Sequence, residues 1–279
     1  MAHFQKIFLL LLLAVIVSPV TAQQEQGYLD LVKAEEQLKY LFNELYDQEF
    51  MDDKLDIFNQ IDTVFKQALS IPGSMDFEWQ KLNKIGKLQS DDGQLKVFSW
   101  YYTDNASVTH YSCLMQCKDK KDRSIVYALN PDEELDKRKE ILNQKPEHWA
   151  GKVYYELITE KYRRKTIYTL LGADFNDMTT MIKCIEMLSV NRGKLAFRRG
   201  GFSDHGTVKD RIVFEYSSNY AASVHYDDRL RMIVFDHLAP IHPLYDGIYQ
   251  FYGPDGSYDG FKFLDGRWER MDNVDARNR

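Results

Sequence analysis

Cysteine is scarce in this sequence: three in 279 residues, Cys113, Cys117 and Cys184. Three thiols cannot all pair with one another, so a disulfide framework is excluded. Cys113 and Cys117 lie in His110–Cys117, which reads as a strand. At ~3.3 Å per residue their Cα atoms would stand ~13 Å apart, against the ~7 Å that a disulfide tolerates. Cys184 falls among Met181, Ile185 and Leu188 at helical spacing and is expected to be a small core residue.

Signatures of covalent catalysis are missing as well. There is no Gly-x-Ser-x-Gly, no Ser-x-x-Lys and no cysteine in a recognisable nucleophile setting. No cofactor fingerprint stands out. Positive charge is not in excess: 36 Lys and Arg against 42 Asp and Glu give a net charge of −6. A chain whose bases are scattered makes a poor nucleic-acid binder, since phosphate neutralisation needs a basic face. The one basic cluster, Lys161 to Lys165, lies between apolar segments and reads as a solvated turn. Arg198-Arg199 precedes Gly200-Gly201, but no helix start follows to hold an anion, so a bulge or turn is expected there.

Long apolar runs are confined to the start of the chain. Ile7 to Val17 is an unbroken stretch of 11 residues, short of the ~20 that a bilayer core of ~30 Å requires. Lys6 precedes it, and Val20-Thr21-Ala22 places small residues before Gln23. That order of parts is a cleavable signal peptide, residues 1–22, with cleavage between Ala22 and Gln23. A short anchor or a buried helix is the competing reading. The expected product is exported, to the periplasm, the cell surface or the medium, with no membrane span left after cleavage.

What remains is rich in core-forming residues, with 44% of the chain hydrophobic and 14% aromatic. Leu31, Ala34, Leu38, Leu41 and Leu45 mark one helix face, and Leu55, Phe58, Ile61, Phe65 and Leu69 a second. Asp52 or Asp53 would cap the second helix, and Ile71-Pro72-Gly73 would end it. These two should form a hairpin over residues 23–75, its apolar stripe covered by the rest of the chain or by a second copy.

From residue 76 to 279 the texture is β: alternating segments separated by turn signals such as Ser90-Asp91-Asp92-Gly93 and Asp265-Gly266. Pro131 to Pro146 reads as a charged loop with a short helical piece. Asp177 to Leu188 reads as one further helix, capped by Asn176 or Asp177. Arg231 to Phe235 is apolar on both faces, as a strand covered on both sides would be. The expected fold is α+β: an N-terminal helical hairpin packed on a mainly antiparallel β-sheet domain with one further helix.

Two hairpin registers follow from turn chemistry. Asp265-Gly266 as a two-residue turn puts Phe263 opposite Trp268 and Lys262 opposite Glu269. Asp228-Arg229 as a turn puts His225 opposite Met232 and Asp236 opposite Ala221, ~13 Å from His225.

Three sets of residues could carry function. His225, Asp227, Asp236, His237, His242 and Asp246 form the densest His/Asp stretch, and imidazole with carboxylate could hold zinc or move protons. A hydrolase or metal-dependent enzyme centred on Asp236 and His237 is therefore the alternative reading. The spacing argues instead that both are structural, with no metal bound. Asp174-Phe175-Asn176-Asp177 has the oxygen donors of a calcium loop but lacks glycine at its sixth place and glutamate at its twelfth. Aromatic groups at Phe98 to Tyr102, at Tyr154-Tyr155 and at Tyr249 to Tyr252 would form a platform for a ligand if exposed, and core if not.

Three segments, YTLLGADFNDMTTMIKCIEML (168–188), RIVFEYSSNYAASVHYDDRLRMIVFDHLAP (211–240) and FYGPDGSYDGFKFLDGRWERM (251–271), resemble a group of exported Bacteroidota proteins. The resemblance implies an envelope or secreted location and brings no catalytic residues with it. The function expected is that of a non-enzymatic binding or interaction protein whose ligand is a sugar, a peptide or another protein.

Overall fold

The computed structural model describes residues 19–47 and 54–276. Residues 1–18 of the expected signal peptide and the proposed caps Asp52 and Asp53 lie outside the described residues. Two helices come first, α1 (Pro19–Asp47) and α2 (Lys54–Leu69). Their apolar stripes follow the three-and-four spacing and are buried in the same chain, except that Leu55, in the first turn of α2, is 54% exposed and Ile57 is buried instead. Phe58 and Phe65 sit against Trp100, and Phe65 against Phe98, with ring centroids 4.8 to 6.3 Å apart. The hairpin thus needs no second copy to cover it.

Three antiparallel layers follow. The first sheet is a meander of β1 (Gly86–Gln89), β2 (Leu95–Thr103), β3 (Thr109–Lys118) and β4 (Ser124–Leu129). The second has β5 (Val153–Tyr162), β6 (Lys165–Asp174), β7 (Thr180–Asn191) and β11 (Arg211–Ser217) in the order β11-β7-β6-β5, with β8 (Lys194–Phe197) also pairing β7. The third contains β9 (Phe202–Asp204), β10 (Thr207–Lys209), β12 (Val224–Asp227), β13 (Met232–Pro240), β14 (Tyr252–Leu264) and β15 (Arg267–Met271), ordered β10-β9-β15-β14-β13-β12. Among the described strands only β9 and β15 pair in parallel.

Strand alternation decides what each face meets. On β2, Phe98 and Trp100 face the helices while Leu95 and Val97 face the second sheet. On β7, Cys184 and Leu188 face the first sheet, and Ile185 and Met187 face the third. The first two sheets are therefore buried on both sides, and the order of layers is helices, sheet, sheet, sheet.

This stacking explains the error over the further helix. Asp177–Leu188 is not helical: its residues from Thr180 onward form β7, paired with β6 and β11. A central strand covered on both faces carries apolar residues nearly continuously, so it matches helical spacing by default. The apparent cap is real as a hydrogen bond. Asp177 Oδ1 accepts from the N–H of Thr179 (2.7 Å) and Thr180 (2.8 Å), but it turns the chain into a strand. Residues 131–151 likewise contain no helical piece and form an irregular strap. The strap is tied by Arg138 to Glu215, by Lys137 to Asp174 (2.9 Å), and by the Glu140 carbonyl to Asp210 and Arg211 N–H.

The β14–β15 register agrees with the turn argument. Leu264 pairs Arg267, Phe263 pairs Trp268 and Lys262 pairs Glu269, with Asp265 (φ 48°) and Gly266 (φ 84°) as the turn. The β12–β13 register differs from expectation. The loop is four residues, Asp228–Arg231, with Arg231 at φ 53°, so His225 pairs Val234. Asp236 then lies beside Ser223, two residues from His225 and ~7 Å along the strand.

Candidate functional site

The bulge in β13 between Asp236 and Leu238 sets the geometry of the His/Asp stretch. A bulge re-aims the side chain it carries, and here His237 Nδ1 meets Asp259 Oδ2 on β14 at 2.8 Å. Asp259 is only 4% exposed. It also accepts from Arg270 Nη2 (2.5 Å) and from the N–H of Asn273 (3.0 Å). Burial alone would raise its pKa, but the His237 and Asn273 hydrogen bonds and the Arg270 charge outweigh that and lower it. Asp259 is thus a held carboxylate. The Arg270 guanidinium lies 4.9 Å from the Phe235 ring centroid and also reaches Asp272 at 3.2 Å. A cation stacked on a ring and shared among carboxylates is a fixed element of structure.

The remaining candidates are each committed nearby. Asp236 Oδ2 accepts from Ser223 N–H (2.6 Å), and His225 Nδ1 lies 3.0 Å from Ser223 Oγ. Asp227 takes the N–H of Leu230 (2.8 Å). His242 caps a short 3-10 turn, Pro243–Tyr245, by accepting from Leu244 N–H. Asp246 takes the Tyr252 hydroxyl at 2.6 Å. Among the described residues no group of three or more His, Cys, Asp or Glu could hold a metal ion. The cavity beside His237 is small, about 190 Å³, and its walls include Phe235, Leu238, Tyr249, Tyr252 and Arg270 but no Ser, Thr or Cys. A histidine oriented by a buried carboxylate resembles half of an acid–base pair. The cavity wall offers it no serine, threonine or cysteine, and the nearest carboxylate on its own strand, Asp236, is taken by Ser223 N–H.

The other candidates resolve as follows. Asp174, in the segment whose calcium-loop match fails, is 3% exposed. Its oxygens take the Tyr111 hydroxyl (2.8 Å), Asn176 N–H (3.0 Å) and Lys137 (2.9 Å). In the Arg198–Gly201 segment, Gly200 (φ 60°) donates its N–H to Asp210 at 2.7 Å, which makes it a turn. All three cysteines are free and buried. Burial pushes the Cys117 and Cys184 thiols up to about 11 and the Cys113 thiol up as well, so none is a poised nucleophile. Comparison of the chain with protein families, curated proteins and solved structures finds no match.

Of the three aromatic groups, the first is core: Phe98 and Trp100 are fully buried. Tyr154 is buried too. The third group differs. Residues 241–250, between β13 and β14, are all exposed, and they include Ile241 (60%), Leu244 (82%) and Ile248 (45%). Tyr245 packs at a tilt against Phe251, and Tyr249 against Tyr252, at centroid distances of 4.2 and 5.1 Å. An apolar protrusion of this kind is what soluble proteins normally avoid outside contact surfaces.

One polar cluster was invisible to sequence reasoning. Glu186 on β7 sits between the first two sheets and is 1% exposed. It accepts from Lys152 Nζ (2.9 Å), Gln144 Nε2 (2.7 Å) and the Tyr154 hydroxyl (2.7 Å), and Arg211 Nε is 3.2 Å away. Reading β7 as a helix hid Glu186, and Lys152, just before β5, and Arg211, on β11, lie 34 and 25 residues away in sequence. Burial this complete leaves no route for a substrate, and the cluster ties the 131–151 strap, β5 and β11 to β7.

Proposed function

We propose that the protein is exported and acts as a non-enzymatic binding protein, with the Ile241–Tyr252 protrusion as its contact surface. The observation that carries this reading is the exposed run of Ile241, Leu244, Ile248 and Tyr249 on a rigid β scaffold. Binding residues are disproportionately on loops held by such scaffolds. Tyrosines supply contact area at low entropy cost. The small cavity behind them, rimmed by His237, Asp236 and Glu215, suits one sugar ring or one peptide side chain. The committed state of His237, Asp259 and Asp236 supports binding over turnover.

Export rests on the leader-like start of the sequence. Cleavage after Ala22 removes the first turn of α1 and leaves the buried stripe, which begins at Leu31, intact. Intact-mass analysis of the protein recovered from its producing cell should give a chain beginning at Gln23. A product retaining residues 1–22 would contradict this.

The contact surface is tested with a Leu244→Asp, Ile248→Asp double variant. Both side chains are exposed, so thermal stability should change by no more than about 0.5 kcal/mol. On glycan and peptide arrays the wild type should give discrete signals that the variant loses. Signals that survive the double substitution, or turnover of an arrayed substrate that depends on His237, would overturn the reading.

A further inference from the structure

The scattered bases of the sequence are not scattered in space. Four hairpin turns meet at one end of the first two sheets: Ser90–Gln94, Asp119–Arg123, Arg163-Arg164 and Arg192-Gly193. Their convergence is fixed by direct contacts. The Gly193 carbonyl accepts from the Tyr127 hydroxyl (2.9 Å), and a Cβ at Gly193 would lie 2.9 Å from Asp119 Cβ, so only glycine lets these turns touch. Asp91 N–H donates to Thr159 (3.2 Å), and the Tyr168 hydroxyl to Asp92 (3.0 Å).

Between the turns runs a groove of about 490 Å³, lined by Lys118, Lys120, Arg164, Lys165 and Arg192. The two acids in its wall are already occupied. Asp119 takes the Arg123 side chain at 2.8 Å, and Asp92 takes Gln94 N–H at 3.1 Å with Ser90 and Tyr168. Lys118 has a single exposed partner, Asp76, at 3.4 Å. Lys120, Arg164, Lys165 and Arg192 have no carboxylate within 4.0 Å among the described residues. In a chain of net charge −6, this is a local excess of unpaired cations facing one concavity.

Backbone conformation adds an independent sign. Arg163 (φ 46°), Arg164 (φ 64°) and Arg192 (φ 56°) occupy left-handed positions. Two-residue turns of this type favour Asn, Asp or Gly, and the β14–β15 turn uses Asp265-Gly266 for that purpose. Arg163, Arg164 and Arg192 are all exposed, so these turns present their head groups to solvent at this end of the sheets.

We propose that this groove binds an acidic oligosaccharide. Arginine forks match carboxylate and sulfate oxygens. Gln94, Thr166, Ser189 and Asn191 also line the groove and offer donors and acceptors for sugar hydroxyls. Its volume lies within the range of small-molecule sites. Single-stranded nucleic acid fits less well, because base stacking needs exposed rings. The one ring in the wall, Tyr168, is 2% exposed. The site is separate from the Ile241–Tyr252 protrusion and does not depend on it.

The test is isothermal titration of the chain from Gln23 onward with a heparin tetrasaccharide, an oligogalacturonate tetramer and neutral maltotetraose. Binding of either acidic sugar at one site per chain, with none of maltotetraose, is expected, and the two acidic arms tell sulfate from carboxylate recognition. Glycine accepts a positive φ without steric cost, so an Arg164→Gly, Arg192→Gly variant should fold normally. It should bind about 10-fold or more weakly, as expected when two charged hydrogen-bonding groups are lost. No binding of either acidic sugar by the wild type overturns the proposal, as does unchanged affinity in a folded variant. Equal or tighter binding of a dodecathymidylate strand or of phosphatidylglycerol vesicles also overturns it.

Discussion

Glu186→Ala is expected to destabilise the protein by about 3–5 kcal/mol at neutral pH, the usual cost of removing one partner from a buried ion cluster. Lys152 and Arg211 are 1% and 2% exposed, and without Glu186 their charges stand in a dry interface with no counter-charge. Glu186→Gln keeps the volume but loses the charge and one of the two accepting oxygens, and should cost nearly as much. Substituting all three by methionine should be far milder than either, because the desolvation penalty disappears with the charges. Denaturant midpoints at constant slope would measure all three. A loss below about 1 kcal/mol for Glu186→Ala would show that the cluster does not hold the strap and the second sheet together.

The same residue gives a pH dependence. Burial pushes the Glu186 carboxyl up, but the Lys152 and Arg211 charges and the hydrogen bonds from Lys152 and Tyr154 more than reverse it, to about 2 from the usual 4.5. A depressed folded-state pKa means the stabilisation is complete above about pH 4.5 and is lost as pH falls towards 2. Linkage over that interval is on the order of 3 kcal/mol. Stability of the wild type should therefore fall steeply in that window. The Glu186→Gln variant should lose this part of the acid sensitivity.

Trp268→Ala is expected to cost about 3–5 kcal/mol, the range for deleting a large buried aromatic. Trp268 is fully buried on β15, and its indole N–H donates to Thr169 Oγ1 on β6 at 2.9 Å. Its ring also meets Phe263 and Tyr226. It thus fastens the third sheet to the second through both packing and a hydrogen bond. Trp268→Phe restores most of the volume but leaves Thr169 without that donor, for about 1–3 kcal/mol. Hydrogen exchange should show β12–β15 opening before the first sheet in the alanine variant. Unchanged protection in the third sheet would contradict this.

How much was legible depended on how far the physics of each element is local. The α1 and α2 stripes could be read because Leu38, Leu45, Phe58 and Phe65 repeat at helical spacing and face one partner. The Phe263–Trp268 register could be read because Asp265-Gly266 admits one turn geometry. β7 could not, because Ile182 to Leu188 is covered on both faces and its pattern keeps no period of its own. The β12–β13 register failed because Arg231 takes a left-handed conformation that its identity does not announce. Every site that matters was assembled by register. Asp259 and Arg270 reach His237 from β14 and β15, and Arg164 and Arg192 line one groove from two hairpins. The Lys161–Lys165 bases looked like a solvated turn in isolation, and only the packing of Gly193 on Asp119 reveals what they face.

Metal content and stability of a His237→Ala variant tell most directly whether the His237–Asp259–Arg270 cluster is a clasp or a reaction centre. Asp259 keeps Arg270 and Asn273 when His237 is removed, so the loss should be near the ~1 kcal/mol of one hydrogen bond. Elemental analysis should find no stoichiometric zinc in the wild type, and none to lose in the variant. Stoichiometric zinc in the wild type that disappears with His237→Ala would contradict the binding-protein account and make a metal-dependent enzyme the leading reading.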